Sequence, residues 1–166
     1  MRWIAMVAAA CAVTPVSAQW TISTSSDRMT GELWAIASSP PTQAAERMAF
    51  PYQGTTARIA FACDSDSEWA YISFTQAPNL ADTENHDGYV TFDARVRWGD
   101  AVETTRFRQN WGGDALHFWP YAPSIAKLLT ANSLLVELDW YGNGQTYFRF
   151  SLIDSSEAIA EARSKC

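Results

Sequence analysis

Residues Tyr89–Asn110 read YVTFDARVRWGDAVETTRFRQN, and this stretch decides the fold. Val90, Phe92, Ala94, Val96 and Trp98 alternate with Tyr89, Thr91, Asp93, Arg95 and Arg97. A period of two belongs to a strand with one face in the core and the other in water. Gly99-Asp100 is a two-residue turn, and Val102–Asn110 returns from it as a second strand. Such a turn fixes the register. Thr91, Asp93, Arg95 and Arg97 then share a face with Arg108, Arg106, Thr104 and Val102. Arg95, Arg97, Arg106 and Arg108 fall on one side of the ribbon, with Asp93 opposite Arg106. Moving the turn by one residue would flip one strand and scatter them.

The same alternation recurs on both sides. Leu134, Val136, Leu138 and Trp140 alternate with Leu135, Glu137 and Asp139. Gly142-Asn143-Gly144 supplies a turn, and Thr146, Phe148, Phe150 and Leu152 alternate back. Upstream, Ala57–Cys63 and Glu68–Thr75 flank the polar turn Asp64-Ser65-Asp66-Ser67. Trp20–Ser25 and Leu33–Ser38 read as strands, the second stopped by Pro40-Pro41. Ala77–Asp87 reads as a polar loop. Ile125, Leu128 and Leu129 have helical spacing, and Pro123 suits a helix start. Asp154 stands three residues before Glu157, the spacing of a capping box, ahead of a helix over Ser155–Lys165. The expected fold is mainly β: an antiparallel β-sandwich or open barrel with two short helices, the last at the C-terminus. No repeat or long linker divides the chain, so residues 19–166 form one domain.

The 166 residues are 48% apolar and 18% charged, which argues against disorder. The net charge of −6 argues against nucleic-acid binding. No apolar run reaches the roughly 18–20 residues of a membrane-spanning helix. Arg2, the short apolar run Trp3–Val13 and the small residues of Val16-Ser17-Ala18 form the three parts of a signal peptide over residues 1–18. Its removal leaves a charge of −7 and a periplasmic or secreted domain. Cys11 follows three alanines but lacks the large aliphatic of a lipoprotein signal, and it leaves with the leader. Cys63 and Cys166 remain. In an exported chain an even pair reads as a disulfide rather than a metal site or two free thiols. Cys63 shares the strand face of Ile59 and Phe61, and Cys166 shares a helical stripe with Ile159 and Ala162, so both point toward apolar surface.

Little in the sequence points to catalysis. No Gly-x-Ser-x-Gly elbow, phosphate loop or metalloprotease helix is present. His117 reads as a structural strand residue, and His86 as a solvated loop residue. Asp64, Asp66 and Glu68 lack the glycine and distal Glu of a helix–loop–helix calcium site and read as a polar turn. Asp82, Glu84 and Asp87 read the same way. Neither catalytic residues nor a metal or cofactor is expected. Trp98, Phe148 and Phe150 sit at core parity. Trp111, Trp119, Tyr121 and Tyr141 lie near turns, as strand-end packing or a sugar-stacking platform. The four arginines carry the better signal, because guanidinium forks bind carboxylates and phosphates bidentately. They make a candidate partner-binding surface, against the alternative of a solvated face kept soluble by charge.

The layout resembles the periplasmic accessory proteins of type VI secretion (the TagO/VasI-like family). The matching residues are Trp20, Ser26-Asp27, Cys63, Arg97, Trp111-Gly112-Gly113-Asp114-Ala115-Leu116, Ile125 to Ala131, Phe148–Ile153, and Ala158-Ile159 to Cys166. The chain has Arg97-Trp98-Gly99-Asp100 where that pattern has an Arg followed closely by Asp. It has no glycine before the last helix. The resemblance implies a non-enzymatic periplasmic accessory domain whose partner is an envelope or secretion-system protein. The alternative from a different class is an inhibitor or carbohydrate-binding module acting on an envelope target, such as a lysozyme inhibitor.

Overall fold

A computed structural model of the protein describes residues 20–166, so the signal peptide assigned to residues 1–18 lies outside the described residues. The chain runs β1 (Thr21–Ser26), β2 (Leu33–Ser38), β3 (Thr42–Gln43), β4 (Thr56–Cys63), β5 (Glu68–Phe74), β6 (Glu84–Asn85), β7 (Tyr89–Trp98), β8 (Ala101–Asn110), β9 (Ala115–Trp119), α1 (Tyr121–Leu128), β10 (Ser133–Trp140), β11 (Gly144–Ser151) and α2 (Ser155–Arg163). The strands form one antiparallel sheet in the order β1-β2-β4-β5-β9-β8-β7-β10-β11, with β3 added to β4 and β6 to β7. The sheet curls without closing into a barrel. Beyond β3, Ala44 makes a single bridge to Phe148 of β11, and the Ala45 N–H donates to the Tyr147 carbonyl at 2.8 Å.

The β7–β8 hairpin has the register that its turn dictates. Asp93 faces Arg106, Arg95 faces Thr104, Arg97 faces Val102 and Thr91 faces Arg108. Gly99 takes a φ of +57° in this turn, while a side chain there would meet open space. Backbone conformation, and not crowding, is therefore what calls for glycine at the first turn position. The inward set Phe92, Ala94, Val96, Trp98 and Phe107 is buried. Phe107 packs between Phe92 and Phe118, with ring centroids at 5.5 and 4.7 Å. Phe148 and Phe150 are buried as their parity requires, and Trp140 is enclosed by Tyr52, Phe74 and Phe148. One core cluster collects side chains from β2, β4, β5 and β7–β11 together with both helices.

Both helices gather where β4 ends and β5 begins. The Ser155 hydroxyl donates to the Leu128 carbonyl and so ties α2 to the end of α1. Arg163 of α2 forms two hydrogen bonds to Glu68 of β5, at 2.6 and 2.7 Å. Cys63 and Cys166 form a disulfide across 103 positions of sequence, with Cα atoms 6.0 Å apart. The tail is thus fastened to the middle of the chain.

Three local expectations change. Helix α1 starts at Tyr121, which places Pro123 in its first turn, where a missing N–H costs no helical bond. The capping box does not form: Asp154 is left-handed at φ 67° and makes no side-chain cap bond. The polar loop Ala77–Asp87 is partly ordered as strand, through β6 and a bridge from Leu80 to Trp140. This segment occupies the gap where β10 leaves β7 after the Val136–Val96 pair.

Closing a loop of this length stabilises a chain by about 4–5 kcal/mol in the chain-entropy model. The C63A/C166A variant should lower the unfolding free energy by about 2–5 kcal/mol in a denaturant titration. An unchanged midpoint and slope would show that the bridge does not restrain the fold.

Candidate functional site

The register brings Arg95, Arg97, Arg106 and Arg108 onto the outer face of the β7–β8 ribbon, but their surroundings differ. Arg106 donates from Nε and Nη2 to the two oxygens of Asp93, at 2.9 and 3.1 Å, and lies 3.9 Å from Glu84. The arginine beside it holds the Asp93 carboxyl below the usual carboxylate range. Arg95 donates to Glu137 of β10 at 2.6 Å. Among the described residues, Arg97 and Arg108 meet no carboxylate within 4.0 Å. Arg108 lies over the Tyr89 ring at 3.9 Å, and Tyr89 stacks on His86 at 4.7 Å. His86 is exposed, as its place in a polar loop suggests, and its Nε2 lies 2.9 Å from the Thr91 hydroxyl.

Pairing across the sheet extends this face beyond the ribbon. Arg97 sits beside Val102 on one side and Leu135 on the other, and Leu135 sits beside Arg149 of β11. Arg149 is exposed and likewise has no carboxylate partner among the described residues. A row Val102–Arg97–Leu135–Arg149 therefore sets two open guanidinium groups around apolar surface. Val102 is 64% exposed, well above its neighbours in the core. In the other direction Arg108 pairs with His117 of β9, which pairs with Tyr71 of β5.

Of the four turn-side aromatics, the fold joins two and separates two. Trp119, the last residue of β9, and Tyr121, the first of α1, meet edge to face at 5.5 Å and 83°. Trp111 and Tyr141 lie at the far end of the sheet. The Tyr141 N–H donates to the Asn79 carbonyl, and Asn79 and Trp111 line one shallow depression. Tyr71 and His117 join the first pair, with their rings 5.5 Å apart. Burial first, and the charge of Arg108 second, push the His117 imidazole below its ordinary range.

The acidic turn is structural in its contacts. Asp64 accepts from the Asp66 and Ser67 N–H groups at 2.9 and 2.6 Å, and Glu68 is engaged by Arg163. Among the described residues no cluster of three His, Cys, Asp or Glu side chains has metal-holding geometry. Compared with known protein families, curated proteins and solved structures, the chain finds no match.

Sequence reasoning places the four arginines on one face and misses Arg149, Tyr71 and His117 as their neighbours. Arg149 has the right parity along its own strand. Its approach to Arg97 depends on β10 lying between β7 and β11, which no local pattern encodes.

Because His117 takes up its proton at lower pH when folded than when unfolded, the unfolded chain binds more protons just below its unfolded pKa of about 6.5. Stability contributed by this group is present above that pH and lost as the pH falls through the folded value. H117Q should flatten the fall in urea midpoint between about pH 7 and 5, and R108Q should move the His117 NMR titration upward. An identical pH slope in H117Q, or an unmoved titration in R108Q, would contradict the assignment.

Proposed function

We propose that the protein is an exported, non-enzymatic accessory domain of the cell envelope that binds a protein partner through the outer face of β7, β8, β10 and β11. What supports this is the row Val102–Arg97–Leu135–Arg149, with Arg108 farther along the same face. Open guanidinium groups beside exposed apolar surface combine forks for carboxylates with area that water leaves at a gain. They belong to a chain of net charge −6, so their concentration on one face directs an acidic partner surface to one orientation. Arg95 and Arg106 are held by Glu137 and Asp93, and they shape the face rather than supply free charge.

The disulfide fits an oxidising compartment, as does the leader read at residues 1–18. Within the envelope, the resemblance in residue layout favours type VI secretion as the process served. That link is the finer part of the proposal and rests on the layout alone.

A photo-crosslinking amino acid at position 102, in cells that carry the protein natively, tests both levels. The expected result is one discrete adduct, lost in R97S/R149S, whose partner is a component of the secretion apparatus. An adduct of equal yield in R97S/R149S, or none from position 102, would overturn the binding face. A specific adduct with a protein of another envelope process would overturn the secretion link alone.

A further inference from the structure

Trp119 is 46% exposed on the outer face of β9, two residues from His117 on the same side. Tyr121 stands almost perpendicular to both rings, at 83° to Trp119 and 75° to His117, with centroids 5.5 and 6.4 Å away. Tyr71 continues the surface on the next strand at 5.5 Å from His117, tilted by 32°. The four rings make a corner, with Trp119, His117 and Tyr71 as floor and Tyr121 as wall. Arg108 pairs with His117 on the neighbouring strand and lies over the Tyr89 ring, with no carboxylate within 4.0 Å among the described residues.

We propose that this corner binds an acidic glycan, with a pyranose ring stacked on Trp119 against Tyr121 and a carboxylate of the chain held by Arg108. Each part of the geometry selects part of that ligand. A rigid aromatic floor takes the flat C–H face of a sugar at small entropic cost. A wall at right angles limits the ring to one approach. An arginine with no carboxylate partner among the described residues is open to an anion, and Arg108 sits directly across from His117 on the neighbouring strand. Arg106, the lateral neighbour of Trp119, is already neutralised by Asp93 and presents a fixed planar pair at the floor's edge for sugar hydroxyls. Arg108 is the diagonal neighbour of Trp119 on the adjacent strand, and its guanidinium turns toward Tyr89 of β7, so a ring on Trp119 carries its acidic substituent across β8 to reach it.

This site shares Arg108 with the proposed partner face and otherwise uses different residues. Its test contains no protein partner, so failure here leaves the crosslinking result standing, and the reverse also holds. The probes are a β-1,4-linked tetrasaccharide of N-acetylglucosamine and N-acetylmuramic acid, a tetrameric polyuronate, and chitotetraose, which has the first probe's backbone without its carboxylates. Calorimetry and tryptophan fluorescence read binding to the purified mature protein. At least one acidic probe should bind, at least tenfold more tightly than chitotetraose. W119A should weaken that binding at least tenfold, and R108Q should bring the acidic probe to the level of the neutral one, each with an unchanged thermal midpoint. The Y121L variant, which keeps apolar volume but removes the ring wall, should weaken binding without altering the acidic preference. Binding of neither acidic probe, equal binding of chitotetraose, or undiminished binding by folded W119A would overturn the proposal.

Discussion

A two-residue turn at Gly99-Asp100 is the constraint on which the rest of the structure depends. It fixes ten pairs between β7 and β8, the longest ladder in the sheet. Because side chains alternate with a period of two, the turn decides at once which residues of both strands enter the core and which face water. With this register Phe92 and Phe107 stack inside and the four arginines lie outside. A slip of one residue would place guanidinium groups against Phe118 and Trp98 and leave aromatic rings in solvent. The penalty for burying such charges is what makes the register unambiguous. The charges on the outer face thus protect the fold as well as offering a surface.

The second constraint is a long-range one. A curled sheet that does not close leaves an end of its core to be covered, and here two short helices cover it. Neither helix would persist alone at its length, since isolated helices below about 12–15 residues are marginal in water. The Cys63–Cys166 bridge, the Glu68–Arg163 pair and the Ser155–Leu128 hydrogen bond hold α2 in place, and α2 in turn backs α1. The outer face of β5, β9, β8 and β7 is left free by this arrangement, and the aromatic corner forms where β9 passes into α1.

Local periodicity made the fold class, the two principal hairpins, both helices and the pairing of Cys63 with Cys166 legible. Each depends on short-range pattern or, for the cysteines, on there being one possible pair. Strand order was not legible. That β9 pairs with β5 and β8, and β10 with β7, comes from how the hairpins stack, and this brings His117 beside Arg108 and Leu135 between Arg97 and Arg149. The sequence therefore pointed to an arginine face but not to its boundary or to which of its charges are already paired. His117 reads as an ordinary strand histidine along its own segment. Only the neighbouring strands reveal that it sits between a tyrosine and an arginine. At the start of α2 a tertiary contact replaces the local capping signal of Asp154: the Ser155 hydroxyl donates to the Leu128 and Leu152 carbonyls.

Cross-strand nuclear Overhauser contacts in the β7–β8 hairpin test the central claim most directly. The account predicts contacts that pair Phe92 with Phe107, Asp93 with Arg106 and Ala94 with Thr105. Contacts shifted by one residue, joining Asp93 to Phe107 or to Thr105, would contradict it and would remove the arginine face and the aromatic corner together.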